Sequence, residues 1–234
     1  MQRSLLTLLI ASIGLNAYAE EKDWSGSAEL GSIRTSGNTD TSSLSSKLTL
    51  KHSGEKWDSE LRLTALNSKD SGTTSKEKYT GLVQFDRNFT EHSYLAIIVD
   101  QERDRFNGFR YQTTSSVGYG YRAINQDNMH LDLEAGPGYR RDKIRTTDTI
   151  EEEAIGRIAI KFQWQIREGV QFVEEFVAEV GDSNAIYRSE TSLRSQVVGN
   201  LATSIGYKVR HVDTVPEGSK KTDTELGVTL VYSF

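Results

Sequence analysis

The chain is 234 residues long and acidic, with 28 Lys and Arg against 33 Asp and Glu, no cysteine and a mean hydropathy of −0.53. An acidic surplus without any basic run argues against a nucleic-acid partner, and the lack of cysteine excludes disulfides, thiol chemistry and lipidation through a cysteine. Hydrophobic residues make up only 36%, which is thin for a soluble core of this size but suits a cylinder with apolar side chains outside and polar ones within.

Residues 1–19, MQRSLLTLLIASIGLNAYA, carry a base at Arg3, an apolar run from Leu5 to Gly14, and small residues at Ala17 and Ala19. This is the pattern of a secretory signal peptide, with cleavage expected after Ala19. The run is too short for a spanning helix, which needs about 20 residues, so export without a helical anchor is expected. Residues 20–234 are read as one domain, with 27 bases against 33 acids once Arg3 is removed.

From Trp24 onwards the sequence alternates with period two between turn residues, and no stretch of helical length shows a 3.6-residue period. Strands are predicted at 24–36, 40–53, 56–67, 76–88, 92–104, 109–123, 128–142, 151–166, 169–180, 185–197, 200–212 and 222–234. Between the first two, Ser36-Gly37-Asn38-Thr39-Asp40 reads as a hairpin turn, because Gly-Asn tolerates positive φ and Thr39 or Asp40 can bond to the backbone. A small cation site at Asn38 and Asp40 is the alternative. In the second strand Leu44, Leu48 and Leu50 alternate with Ser45, Lys47, Thr49 and Lys51; in the third, Trp57, Leu61, Leu63 and Ala65 alternate with Asp58, Glu60, Arg62 and Thr64.

The seventh strand holds Pro137 between Gly136 and Gly138, and because proline donates no ladder hydrogen bond a bulge or kink is expected there. Ile158, Ile160, Phe162 and Trp164 mark the apolar face of the eighth. The ninth has Val173 and Val177 on one face and Phe172 and Phe176 on the other, which sends Glu174 or Glu175 toward lipid unless the strand bulges or leaves the membrane. A soft boundary in the tenth leaves ten strands as the alternative to twelve. The last strand is apolar at every second position, Leu226, Val228, Leu230, Tyr232 and Phe234. A lipid-facing strand must be so, since an unmet polar group in hydrocarbon costs several kcal/mol.

A soluble β-sandwich would also alternate, and the connections discriminate. Those after even-numbered strands (53–55, 88–92, 125–128, 167–169 and 199–200) are short. The long polar ones, Ser68 to Lys76, Lys143 to Thr149 and Asp213 to Thr222, all follow odd-numbered strands. Short turns on one rim and long loops on the other are the habit of outer-membrane barrels. One aromatic girdle is predicted at the short-turn rim, from Trp24, Trp57, Phe89, Tyr94, Trp164, Phe172 and Phe234, and a second at the other rim, from Tyr79, Phe109, Tyr111, Phe176 and Tyr187. The expected fold is thus all-β: a transmembrane antiparallel up-and-down β-barrel in the bacterial outer membrane, with lipid as its surroundings and a monomeric state.

Trp24-Ser25-Gly26, Glu29-Leu30-Gly31, Thr35-Ser36-Gly37-Asn38-Thr39-Asp40, Ala135-Gly136-Pro137-Gly138-Tyr139-Arg140 and the closing Leu-Val-Tyr-Ser-Phe together resemble the salt-induced outer membrane protein family, also called YdiY-like. The resemblance spans nearly all of residues 20–234. It implies a bacterial outer-membrane barrel of uncharacterised activity whose expression answers to salt or acid stress, and it supplies no catalytic residues. Tyr232 and Phe234 likewise resemble the C-terminal assembly signal by which the barrel-assembly machinery selects its clients.

Function is sought among charges whose parity points inward: Glu29, Lys47, Lys51, Asp58, Glu60, Arg62, Arg122, Asp132, Glu134, Arg140, Arg157, Lys161, Lys208, Arg210 and Glu225. Six of them are acids and nine are bases, so both signs face inward. They would either line a narrow wet passage or bridge the lumen and block it, so a channel and an occluded structural or interaction barrel both remain open. No cofactor, metal motif or nucleophile motif is found. His211 with Asp213 is the one pair at the long-loop rim able to activate water; His52, His92 and His130 scatter over the short-turn rim, and no enzyme activity is expected.

Overall fold

Strands that alternate over both faces still expose unpaired backbone at their edges, and the computed structural model removes those edges by closing the sheet. Residues 24–35, 41–215 and 220–234 are described, with backbone alone for 33–35. The expected signal peptide and the Ser36–Asp40 turn lie outside the described residues. The strands are β1 (Trp24–Thr35), β2 (Thr41–His52), β3 (Trp57–Asp70), β4 (Thr73–Asn88), β5 (Ser93–Asp104), β6 (Phe109–Gln126), β7 (Met129–Ile144), β8 (Ile150–Arg167), β9 (Val170–Gly181), β10 (Ala185–Val198), β11 (Leu201–Val212) and β12 (Thr222–Ser233). Each pairs antiparallel with its sequence neighbours, and β12 returns to β1 to close a twelve-stranded barrel. Twelve strands, not ten, is the outcome.

The outer wall is apolar. Leu226 is 70% exposed and Leu30 58%, and they stand in a belt with Val228, Ile205 and Leu63 that is stable only against hydrocarbon. At the seam Gly26 and Phe234 exchange backbone hydrogen bonds of 2.8 and 2.9 Å. Any Cβ at Gly26 would meet the Phe234 ring at 2.6 Å, so the small residue makes room for the aromatic that ends the chain.

Several expectations are corrected. Ser68 to Lys76 is not a loop: β3 and β4 run on and meet in a two-residue turn, Ser71-Gly72, with φ of 51° and 81°. Positive φ at both positions is the hairpin geometry whose twist matches the flanking strands. The rims therefore differ partly by strand length, since β4, β6, β7 and β8 have 16 to 18 residues, more than the about 9–11 that cross hydrocarbon. Pro137 produces no bulge. The β6–β7 ladder pauses between Ser116↔Gly138 and Tyr119↔Ala135 and resumes in the same register, while Pro137 pairs with Gly156 of β8.

Two aromatics leave their predicted girdles. Tyr94 points inward and is 2% exposed, because it pairs with Gly120, where a Cβ would sit 2.2 Å from the Tyr94 ring. Phe109 is buried as well, since a register shift between Phe109 and Tyr111 reverses its face. Trp24, Trp57, Trp164, Phe89 and Phe234 remain on the exposed outer surface at the short-turn rim, and Tyr79 is exposed on the outer surface toward the opposite rim.

Gly120→Ala is expected to lower the unfolding free energy by about 1–3 kcal/mol by overpacking against Tyr94, and to cost far less in a Tyr94→Ala background. Urea titration, followed by the loss of the fast-migrating unboiled band on a detergent gel, measures both.

Candidate functional site

Alternation decides which side chains face inward, but closure decides which of them meet. The interior holds a cavity of about 680 Å³, and ten of the fifteen predicted inward charges line it: Glu29, Lys47, Lys51, Glu60, Arg62, Arg157, Lys161, Lys208, Arg210 and Glu225. Its lining runs from Lys51 and Gln171, beside the short turns, to Lys76 and Asp223, beside the opposite rim. Most of it comes from β1–β4 and β9–β12; β7 contributes nothing. Across the ring, Tyr94, Ala96 and Ile98 of β5 form a buried apolar cluster with Leu82 of β4 and fill the lumen there.

Ion pairs span the cavity. Arg62, sixth residue of β3, reaches Glu175, sixth residue of β9, at 2.8 Å, and these strands lie six apart in a ring of twelve, on opposite walls. Arg210 of β11 faces Glu102 of β5 at 3.5 Å, again six strands apart, and both are tenth in their strands. By register Arg62 is level with Asp100 and Glu175 with Lys208, so the second strut lies two residues, about 7 Å, further along the strands toward the long-connection rim. Lys47 bonds Glu190 of β10 at 2.9 Å, Glu29 receives Arg194 at 3.0 Å, and Glu225 receives Lys76 at 2.7 Å.

The other five predicted charges sit where the lumen is filled. Glu134, 2% exposed, accepts from Tyr94 at 3.0 Å, Gln84 at 3.2 Å, Arg157 at 2.9 Å and Lys161 at 2.7 Å. Each of these donors offsets the cost of holding a carboxylate away from water. Arg122 pairs with Asp58 at 3.3 Å and lies over the Tyr94 ring at 4.7 Å. Arg140, 1% exposed, engages Glu153, the Asn184 carbonyl at 2.8 Å and Asp142 at 3.4 Å. Asp132 is registered opposite Arg122 and Lys161 and makes no ion pair among the described residues.

Half of the cross-lumen partners, Lys76, Glu102, Glu175, Glu190 and Arg194, were missing from the sequence expectation. Three of them, Glu175, Glu190 and Arg194, have the inner parity of β9 and β10, and β9 is apolar on both faces, which hid the phase. Glu175 turns inward to Arg62, while Glu174 has the outer parity and is held by hydroxyls of β10, Ser189 at 2.8 Å and Thr191. No register shift occurs at that point. A carboxylate on the lipid-facing wall is thereby tolerated through local hydrogen bonds.

His211 lies 3.1 Å from Asp213 and 2.7 Å from the Thr222 hydroxyl. All three are exposed to solvent at the long-connection rim. Among the described residues no group of three His, Cys, Asp or Glu is placed to hold a metal.

Arg62→Met should strand Glu175 and cost about 1–3 kcal/mol, the penalty of a polar group left without its partner, whereas Arg62→Met with Glu175→Gln should recover most of it. A double-mutant cycle from urea unfolding measures the coupling.

The closed sheet, apolar belt and polar lumen define a transmembrane β-barrel of the outer-membrane type. Residues 28–234 match the family described as a protein of unknown function, DUF481, and the chain belongs to that family. It is 28% identical over 214 residues to the uncharacterized protein YdiY of Escherichia coli (strain K12), covering 91% of this chain and 84% of that protein. In fold it is similar to the NanC porin, with a TM-score of 0.52 at 8% identity, covering 88% of this chain and 97% of the porin. It is likewise similar to the COG4313 outer membrane channel from Pseudomonas putida F1, with a TM-score of 0.52 at 12% identity, covering 90% and 95%.

Proposed function

We propose that the protein is a narrow channel of the bacterial outer membrane, exported with removal of residues 1–19, that passes small ions and polar solutes. One observation carries this reading: a polar cavity whose lining continues from rim to rim, narrowed by the Arg62–Glu175 and Arg210–Glu102 struts. Mixed charge on the walls suits weak selectivity between anions and cations. The fold likeness to a protein described as a porin and to one described as an outer membrane channel supports it. The channel then acts under the salt or acid stress that the family resemblance implies. In this reading the barrel works as a monomer surrounded by outer-membrane lipid, carries out no chemistry, and is delivered by the barrel-assembly machinery through Tyr232 and Phe234.

The occluded structural or interaction barrel is the second reading, favoured by the same struts and by the filled half around Glu134. Planar-bilayer recording separates the two. A channel gives discrete current steps, enlarged in the Arg62→Ala and Arg210→Ala variants because each removes a guanidinium from the passage; a barrel that inserts in folded form without steps in any of the three proteins is occluded.

A further inference from the structure

The seam where the barrel closes is unlike its other joints. Among the described residues β1 and β12 are registered over four pairs, Ser27↔Ser233 to Leu30↔Leu230, extended at the short-turn side by Gly26 and Phe234. Every other neighbouring pair of strands is registered over ten residues or more. Beyond Leu30, β1 continues to Thr35 with β2 as its ladder partner, and β12 continues from Thr229 to Thr222 with β11. In the half of the seam nearer the long-connection rim the ladder is therefore split, although the two strands stay in contact.

Gly31 shows how. A Cβ there would lie 2.9 Å from Thr229 Cγ2 and 3.0 Å from the Val228 carbonyl oxygen. Gly31 has inward parity, so β12 leans across the inner side of β1 instead of lying beside it. Unpaired backbone at membrane depth is tolerated only where it is buried in protein or lines a wet cavity, and the interior cavity does reach it. Gly31, Ser32, Gly227 and Thr229 line that cavity together with Leu226 and Val228, whose side chains belong to the lipid-facing belt.

Outside the wall, a second cavity of about 700 Å³ straddles the paired part of the seam, directly below the split. Ala28, Ser46 and Ala65 form its floor, and Leu48, Leu230 and Tyr232 are among its walls. Inside, Lys47, Lys76, Lys78 and Lys208 line the lumen. Each of them holds a carboxylate with its ammonium, and an ammonium has three donors, which leaves capacity for a further anion.

We propose that the split parts as a lateral doorway between lumen and membrane for a single-chain amphiphile with an anionic head: the head rests among these lysines, and the acyl tail passes between β1 and β12 once these unbonded stretches separate and descends the Ala28–Ser46–Ala65 groove. Acyl chains of the leaflet nearer the long connections point toward the bilayer centre, which is the direction of that groove. The doorway requires the cavity but not conduction between the rims, so it stands or falls separately from the channel reading.

The absence of cysteine makes the test direct. Gly31→Cys with Thr229→Cys places two Cβ atoms within disulfide reach across the split, and Ser32→Cys with Val228→Cys, next in the same register, provides a second lock. Each is built in a chain whose Trp24, Trp57 and Trp164 are Phe and whose sole tryptophan replaces the cavity-lining Ser43. In phosphatidylcholine vesicles, 5-doxyl stearate, with its nitroxide near the carboxylate, should quench this tryptophan in reduced protein and do so several-fold less after oxidation. Leu30→Cys with Leu230→Cys, which clips the part already paired, should leave quenching unchanged. Equal quenching in locked and reduced forms of whichever lock folds, or no quenching in the reduced form, overturns the doorway. Equal quenching by a trimethylammonium amphiphile carrying the same label overturns the anionic head.

Discussion

Hydrocarbon offers a peptide group no hydrogen bond, and the rest of this structure depends on that. An unpaired N–H or C=O facing lipid costs several kcal/mol, so a sheet can cross the membrane only by closing on itself. Closure explains why β12 returns to β1, why Gly26 yields space to Phe234, and why the ladders run on through Pro137 with a pause but no inserted residue. Where closure is incomplete, beyond Leu30 and Leu230, the free backbone faces the wet cavity. Even the departure obeys the constraint.

With lipid outside, the apolar residues have been spent on the outer belt and the interior is left to charges. Partly dehydrated charges must be paired, and a wall of mixed sign supplies partners from every direction. Arg62–Glu175 and Arg210–Glu102 join opposite walls, so the same bonds that tie the twelve-stranded ring across its middle also narrow the cavity within it. The filled region around Tyr94, Glu134 and Leu82 confines the remaining space to one side, which is also the side that carries the split seam.

The strands and most of their faces were legible in the sequence, with ten left as the alternative to twelve, because a period of two needs only neighbouring residues to be read. Leu44 through Leu50 or Ile158 through Trp164 declare an apolar face wherever the strand is placed. Tyr94 was misread because its inward turn depends on Gly120, which stands opposite it on the next strand. Phe109 was misread because a single register shift reverses parity. Ser68 to Lys76 passed for a loop because polar residues serve equally well in a hairpin that projects beyond lipid. Of the interior charges, those on strands with a clear apolar face were identified, whereas Glu175, Glu190 and Arg194 were not.

By itself the sequence determined the fold class and the assignment of most charges to the inner face, since local alternation and the spacing of turns are properties of contiguous residues; the choice between ten and twelve strands waited for the closed ring. Which charge meets which was decided only by the tertiary structure. Arg62 and Glu175 are 113 residues apart, and their meeting follows from ring closure, register and tilt, none of which any short segment encodes. The early end of the β1–β12 ladder is of the same kind, because a seam between the first and last strands exists only after every other strand has taken its place.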